Sequence, residues 1–267
     1  MYINEQYQNL KIKEDILYHR ITSDGQSEMC NTSVLKEHVL DVYINDILTM
    51  KLICIPQFLS ELVLGRLLTE GIICGTDEIE VIYVCEYGKR AKVLLKKTDG
   101  VVTSNYVENT ASCCTGNHIL NDYFLNYDKV YPVKPIVWEA DWIFRLAEGF
   151  SKDTPLHRET GATHSCYLSR RGELLFQCED IGRHNALDKV IGYAMRNCID
   201  LTECIVYTSG RIPTDMAIKA IRAGIPVLAG KAAVSVEAIL LAREYKLTLI
   251  RAGAGSMKLY AGSGPRL

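Results

Sequence analysis

No apolar run in these 267 residues approaches the ~18 needed to cross a bilayer. The first thirty residues are polar and mixed in charge, without the apolar centre of a secretory signal. Together the two absences predict a cytoplasmic protein with no membrane attachment. Excess charge of either sign is also missing: 30 Lys and Arg face 32 Asp and Glu, a net charge of −2, and the pI is near 6.3. A nucleic-acid binder that works by bulk electrostatics is therefore excluded, and any anion site has to be local. The chain has ten cysteines, but no two stand three apart, so a Cys-rich zinc site lacks its usual spacing and no zinc is expected. A zinc nucleobase deaminase needs Pro-Cys-x-x-Cys beside a His-x-Glu, and this chain cannot complete that set. Most of the cysteines sit in apolar runs such as 52–56, 72–75 and 202–206, and read as reduced core thiols.

What is present organises into three parts. Residues 1–33 carry few apolar repeats and read as a loosely held arm. Residues 34–135 read as a small α+β domain, strand-like at 39–44, helical at 59–69 and strand-like again at 80–85 and 91–95. Within it, 104–118 is polar and small, an exposed loop carrying Cys113 and Cys114. Pro132 and Pro135 punctuate the approach to a helix at 138–150. In 136–267, strands at 164–169, 173–178, 203–208, 226–229 and 248–250 mostly alternate with helices at 183–196, 214–223 and 234–245. That alternation predicts an α/β domain with a largely parallel sheet covered on both faces, and ligands at the C-terminal strand ends.

Two such ends concentrate polar groups. Glu179, Asp180, Gly182, Arg183, His184 and Asn185 lie between a strand and an amphipathic helix, on whose first turn the Arg-His-Asn triplet falls. Unpaired N–H groups and the positive end of the helix dipole favour an anion there, and Arg183 adds a planar fork suited to phosphate. The competing reading is a capping network in which Asp180 accepts N–H bonds and Arg183 pairs with Glu179. Ser209, Gly210 and Arg211 occupy a second strand-to-helix turn, where Gly lets the backbone approach a ligand and Arg can grip phosphate. The bland alternative is a solvated turn arginine.

These runs do not stand alone. Thr160-Gly161-Ala162-Thr163-His164, the Ser209–Pro213 run, the stretch from Lys219 to Leu228 and Leu64-Gly65-Arg66-Leu67-Leu68-Thr69-Glu70-Gly71-Ile72-Ile73 accompany them. Together they resemble the formate dehydrogenase accessory (FdhD/NarQ) sulfurtransferase family, from about Glu37 to Tyr260. The resemblance implies a C-terminal three-layer domain similar to the cytidine-deaminase fold. It further implies a loop cysteine that receives persulfide sulfur from a cysteine desulfurase and passes it to the bis-molybdopterin guanine dinucleotide cofactor of a molybdenum or tungsten formate dehydrogenase.

The family often holds Cys-x-x-Cys in that loop. Its first Cys falls at Cys113, but its second falls at Gly116, and this chain has the adjacent pair Cys113 and Cys114 instead. The resemblance also implies that Arg183, His184, Asn185 and Arg211 hold nucleotide phosphates, with Glu179 and Asp180 on guanine N–H groups or orienting the arginines. His164 and the tail segment Ala252, Gly253, Ala254, Gly255, Ser256, Met257 and Lys258 would line the same site, Ala254 standing where the family usually has Arg. GDP should mimic the nucleotide half, and a homodimer is a further expectation. The rival reading is a cofactor chaperone without sulfur chemistry.

Overall fold

The structure, a computed structural model, describes residues 1–96, 108–110, 130–152, 154–253 and 255–266. Strand β1 (Tyr2–Glu5) is followed by a hairpin of β2 (Lys13–Ile21) and β3 (Ser27–Leu35), then by β4 (His38–Ile44) and β5 (Ile47–Cys54). Helix α1 (Leu59–Thr69), β6 (Ile79–Val84), β7 (Arg90–Leu95) and β8 (Glu108–Thr110) complete the N-terminal half. Its main sheet has the order β1-β6-β7-β4-β5-β8. Alternation does the building: Leu40, Val42 and Ile44, with Met50, Leu52 and Cys54, point to one face, as do Ala91, Val93 and Leu95. Asn45 and Asp46, both at positive φ, form the two-residue turn between β4 and β5.

The first 33 residues are not the loose arm expected. Residues Tyr2–Glu5 add a parallel edge strand beside β6, and β2 and β3 pair in register from Lys13↔Leu35 to Ile21↔Ser27. Backbone pairing holds them. Their side chains stay largely exposed, so apolar periodicity carries no sign of it.

The C-terminal half runs α2 (Ala140–Lys152), α3 (Pro155–Thr160), β9 (His164–Arg170), β10 (Glu173–Asp180), α4 (Arg183–Arg196), β11 (Cys204–Thr208), α5 (Thr214–Arg222), β12 (Val227–Gly230), α6 (Val236–Glu244), β13 (Thr248–Gly253) and β14 (Ser256–Ala261). Its sheet has the order β10-β9-β11-β12-β13-β14. Only β11, β12 and β13 are parallel neighbours. The pairs β9 with β10, β9 with β11 and β13 with β14 are antiparallel, so the sheet is mixed rather than largely parallel. The reason is local: Arg171 and Gly172 both sit at positive φ and close a two-residue turn between Arg170 and Glu173, which forces β9 and β10 into a hairpin.

Helices fill the space between the sheets. Helix α1 is buried along its whole length, against the first sheet and against α4. Gly65 and Gly192 mark the crossing: a Cβ at Gly65 would lie 1.9 Å from the Asp188 carbonyl oxygen, and one at Gly192 would lie 1.9 Å from that of Glu61. The two backbones touch, which no side chain permits. A buried ionic cluster ties α1, α4 and α5 together beside this contact. Lys219 Nζ reaches both Asp188 oxygens at 2.9 and 2.8 Å and Glu70 at 3.3 Å, and Arg66 pairs with Glu70 at 2.8 Å and with Asp188 at 3.4 Å. Two cations meet two carboxylates, so no net charge is left buried. Apolar residues of both sheets join across these helices in one continuous core. Helix α2 covers the outer face of the second sheet with Ile143, Leu146 and Phe150, against Tyr207, Val227 and Ile250.

Candidate functional site

Strand direction gathers the residues singled out in the sequence. Because β9 runs against β11, its first residue, His164, lies at the edge where the parallel strands end. His164 is opposite Asp180, Thr208 is opposite Gly230, and β13 ends there at Gly253. Helix α4 starts three residues beyond Asp180, so Arg183, His184 and Asn185 sit on the same edge. Cys113, Cys114 and Ala254 lie outside the described residues.

Asp180, Asn185 and Glu179 are bound into the frame of the protein. Asp180 accepts from the Gly182 N–H at 3.0 Å and Asn185 Nδ2 at 2.9 Å on one oxygen, and from the Ile55 N–H at 3.1 Å and Lys189 Nζ at 2.6 Å on the other. Asn185 Nδ2 also donates to the Ile53 carbonyl at 2.8 Å, and Lys189 donates to that of Ile55 at 3.0 Å. The run thus clamps the end of β5 onto the first turn of α4, as the capping alternative anticipates for Asp180. Glu179 accepts from the N–H groups of Leu156 and His157 at 3.0 and 2.8 Å and from Thr163 Oγ1 at 2.8 Å, capping α3. These carboxylates frame the site.

Arg183 and His184 face the β11–α5 turn. A Cβ at Gly210 would meet the Arg183 side chain at 2.8 Å, so glycine makes room for the arginine stem. Ser209 accepts from the Ser165 N–H at 2.9 Å and stands 3.5 Å from His164 Nδ1. His184 Nε2 is 2.7 Å from Asp215 Oδ2. Burial pushes the Asp215 carboxyl up, but the hydrogen bond and charge of His184 outweigh it and hold it at about 2. His184 is lowered, first by burial, against the pull of Asp215, and His164 is lowered by burial and by Arg183. Asp215 was missed in the sequence because an acid on a helix's first turn reads as a dipole partner.

Next to this turn is a cavity of about 520 Å³, lined by Phe144, Phe150, Tyr207, Glu148, Lys231, Gly253 and other residues. The Lys231 ammonium lies 5.3 Å from the Phe150 ring centre. The Gly-rich tail is no loose end: Ala252 pairs with Met257 and Gly253 with Ser256 in a hairpin. Gly253 and Gly255 border the cavity, Met257 packs on the α2 core, and Ser256 and Lys258 are exposed. Apart from Gly253 and Gly255, the cavity residues carried no sequence signal, since an aromatic face on a helix reads as core.

Of the eight cysteines described, Cys54, Cys166, Cys178 and Cys204 are buried. Burial pushes Cys166 up to about 12 and Cys204 to about 11, so these thiols are poor nucleophiles. Among the described residues no three His, Cys, Asp or Glu side chains group as a metal site. His157-Arg158-Glu159 does have His-x-Glu spacing. Its His157, however, bonds the Thr163 carbonyl at 2.8 Å, and Glu159 pairs with Lys13.

Fold and site define a mixed α/β protein, with two six-stranded sheets and a two-stranded hairpin among the described residues, a ligand-sized cavity, and arginine and histidine side chains gathered at one sheet edge. Residues 35–265 match the model of the FdhD/NarQ family, and the chain belongs to that family. It is 29% identical over 255 residues to a protein of Listeria monocytogenes named sulfur carrier protein FdhD, covering 93% of this chain and 98% of that one. It is 31% identical over 246 residues to a protein of the same name from Bacillus pumilus, covering 91% and 92%. Its fold is similar to the crystal structure of a chain described as a candidate formate dehydrogenase accessory protein from Desulfotalea psychrophila. The TM-score is 0.77 at 24% identity, over 94% of this chain and 98% of that one. Among the described residues no helix is long and apolar enough to cross a membrane.

Proposed function

We propose that this protein is a sulfur carrier for formate dehydrogenase maturation, as the names of its relatives suggest. In this reading the Cys113 thiolate attacks the outer sulfur of a cysteine desulfurase persulfide. One S–S bond breaks as another forms, so no oxidant is consumed. The sulfur is then passed to a bis-molybdopterin guanine dinucleotide, the substrate, held at the C-terminal strand ends. Arg183, Arg211 and the Ser209–Gly210 turn would grip its phosphates, with His164 and His184 beside them. The cavity against Phe144, Phe150 and Tyr207, bordered by the β13–β14 hairpin, has the size and aromatic walls to take a nucleotide base. Glu179, Asp180 and Asn185 would serve by fixing this edge.

The observation that carries the reading is the meeting of the two halves at one place. Strand β8 ends at Thr110 opposite Leu52, and the next residue of β5, Ile53, is bonded to Asn185 beside His184. Cys113 follows Thr110 by three residues in the sequence, which supports a carrier that acts at this edge. The test is maturation of a client formate dehydrogenase in cells that lack the endogenous carrier. Cys113→Ser should abolish it, and Cys114→Ser should leave substantial activity. The reverse pattern would move the carrier to Cys114, and full activity in both variants would end the sulfur-carrier reading in favour of passive cofactor carriage.

A further inference from the structure

Strands β2 and β3 form a sheet of their own, and a lone two-stranded hairpin is marginal in water unless something packs on it. Helix α3 contacts β3, and Lys13, at the base of the hairpin, pairs with Glu159. Further out, Leu17 is 69% and Ile21 73% exposed, and Ile16, Tyr18 and Met29 are exposed as well. The family match covers 35–265, so it leaves all but the last residue of the hairpin unaccounted for. Among the described residues no strand pairs with the outer edge of β2. Edge strands are normally guarded by charge, and β2 is charged, but in a particular order. It reads Lys-Glu-Asp-Ile-Leu-Tyr-His-Arg-Ile from Lys13 to Ile21. Glu14 and Asp15 precede Leu17 at the same spacing at which Arg20 and His19 follow it. Set antiparallel to a copy of itself with Leu17 opposite Leu17, the strand places Glu14 opposite Arg20, Asp15 opposite His19 and Ile16 opposite Tyr18. Cross-strand pairs of opposite charge, and of apolar groups, stabilise a sheet. The neighbouring registers lose this match: a slip of one residue sets Lys13 opposite Arg20 in one direction and Glu14 opposite Ile21 in the other. Strand β3 has no such order, its one charged residue being Glu28.

We propose that two copies of this chain associate through β2, antiparallel about a two-fold axis at Leu17, so that two hairpins become one four-stranded sheet. A sheet of three or more strands with an apolar face is stable where a lone hairpin is not. On one face Ile16 and Tyr18 of the two copies meet at the centre, flanked by Thr32 and Cys30 of the β3 strands; on the other the two Leu17 side chains meet, flanked by Asn31. Arg20, which pairs with Glu28 of its own hairpin at 3.2 Å, would stand between that carboxylate and Glu14 of the second copy. The two-fold repeats each complementary pair, so its contribution counts twice. A single strand pair is a modest interface beside the ~800 Å² per partner of a standard one, so association should be reversible and grow with concentration. This interface is independent of the sulfur-carrier reading.

Sedimentation velocity of the full-length protein over a range of concentrations should show a mass rising from the 30.0 kDa of one chain toward twice that value. His19→Glu sets like charges opposite each other at two places and should weaken dimerisation roughly tenfold. Adding Asp15→Lys to that variant should restore it. Within one chain residues 15 and 19 lie about 13 Å apart along the strand, so such a rescue acts between copies. Leu17→Cys under a mild oxidant should give a disulfide-linked dimer, because residues directly opposite in an antiparallel pair stand about 4.5–5.5 Å apart. Ile21→Cys, which faces Lys13 of the second copy, should not link above the wild-type level. A wild type that keeps the mass of one chain at every concentration would overturn the proposal and leave the hairpin to a different partner. A dimer that is unchanged by His19→Glu and does not cross-link through Leu17→Cys would also overturn it, placing the interface on another surface. Weakening by His19→Glu that Asp15→Lys does not repair would overturn the register.

Discussion

His164 and His184 are held neutral by burial and by neighbouring cations, and this has a consequence for stability. In the unfolded chain both bind a proton near 6.5, their ordinary value; folded, both resist it. The unfolded state therefore binds more protons below that pH, so stability is full above about 6.5 and falls as pH drops through it. Denaturant melts at stepped pH should show this loss, and the double variant His164→Gln, His184→Gln should flatten the curve; an unchanged slope would mean that neither ring is held neutral. Asp215 adds a second step. Its folded value near 2 lies below its ordinary 3.8, so its contribution is present above about 4 and is lost as pH falls toward 2. Lys219 is a buried cation with buried partners. Lys219→Met takes one cation from Asp188 and Glu70, and should cost about 3–5 kcal/mol in chemical denaturation.

At the scale of elements, the α1–α4 crossing is the most demanding contact. Gly65→Ala or Gly192→Ala drives a methyl into a carbonyl oxygen 1.9 Å away and should destabilise by about 3 kcal/mol or more. Gly149 in α2 is the control: nothing lies within 4 Å of its would-be Cβ, and Gly149→Ala should be neutral or stabilise by about 0.5–1 kcal/mol. Equal melting shifts in the three variants would contradict the crossing. The sequence made α1 and α4 legible to the residue, because each begins at a clear break and carries a periodic apolar stripe through to its last turn. Strand β7, with its alternating buried face, and β9, buried through its centre, were nearly as plain. Elements with little buried apolar surface were not: β2 and β3 expose most of their side chains and β1 is half-buried, and β14 hides in a run that composition marks as a glycine-rich tail. Strand direction also escaped, since the Arg171-Gly172 turn that makes β9 and β10 a hairpin is shorter than any periodicity window.

At the scale of the molecule, the two six-stranded sheets share one core and the described candidate residues collect at one edge. Sequence motifs found that edge because clustered polar residues between apolar elements stand out. They did not separate roles within it, since an aspartate that clamps β5 and one that faces a ligand look alike until their partners are seen. The roles make a binding prediction. Charge-assisted contacts to phosphate contribute about 1.5–3 kcal/mol, so Arg183→Ala or Arg211→Ala should weaken GDP binding roughly ten- to a hundredfold by calorimetry. Unchanged affinity in both would put the nucleotide elsewhere.

The central claim, that sulfur rides on the loop cysteine beside this edge, is tested most directly by mass spectrometry of the protein after incubation with a cysteine desulfurase and cysteine. The account predicts a mass gain of one sulfur atom, mapped to the peptide containing Cys113, reversed by a reducing thiol, absent in Cys113→Ser and retained in Cys114→Ser. No gain in mass, or a sulfur adduct that survives the loss of both loop cysteines, would contradict it.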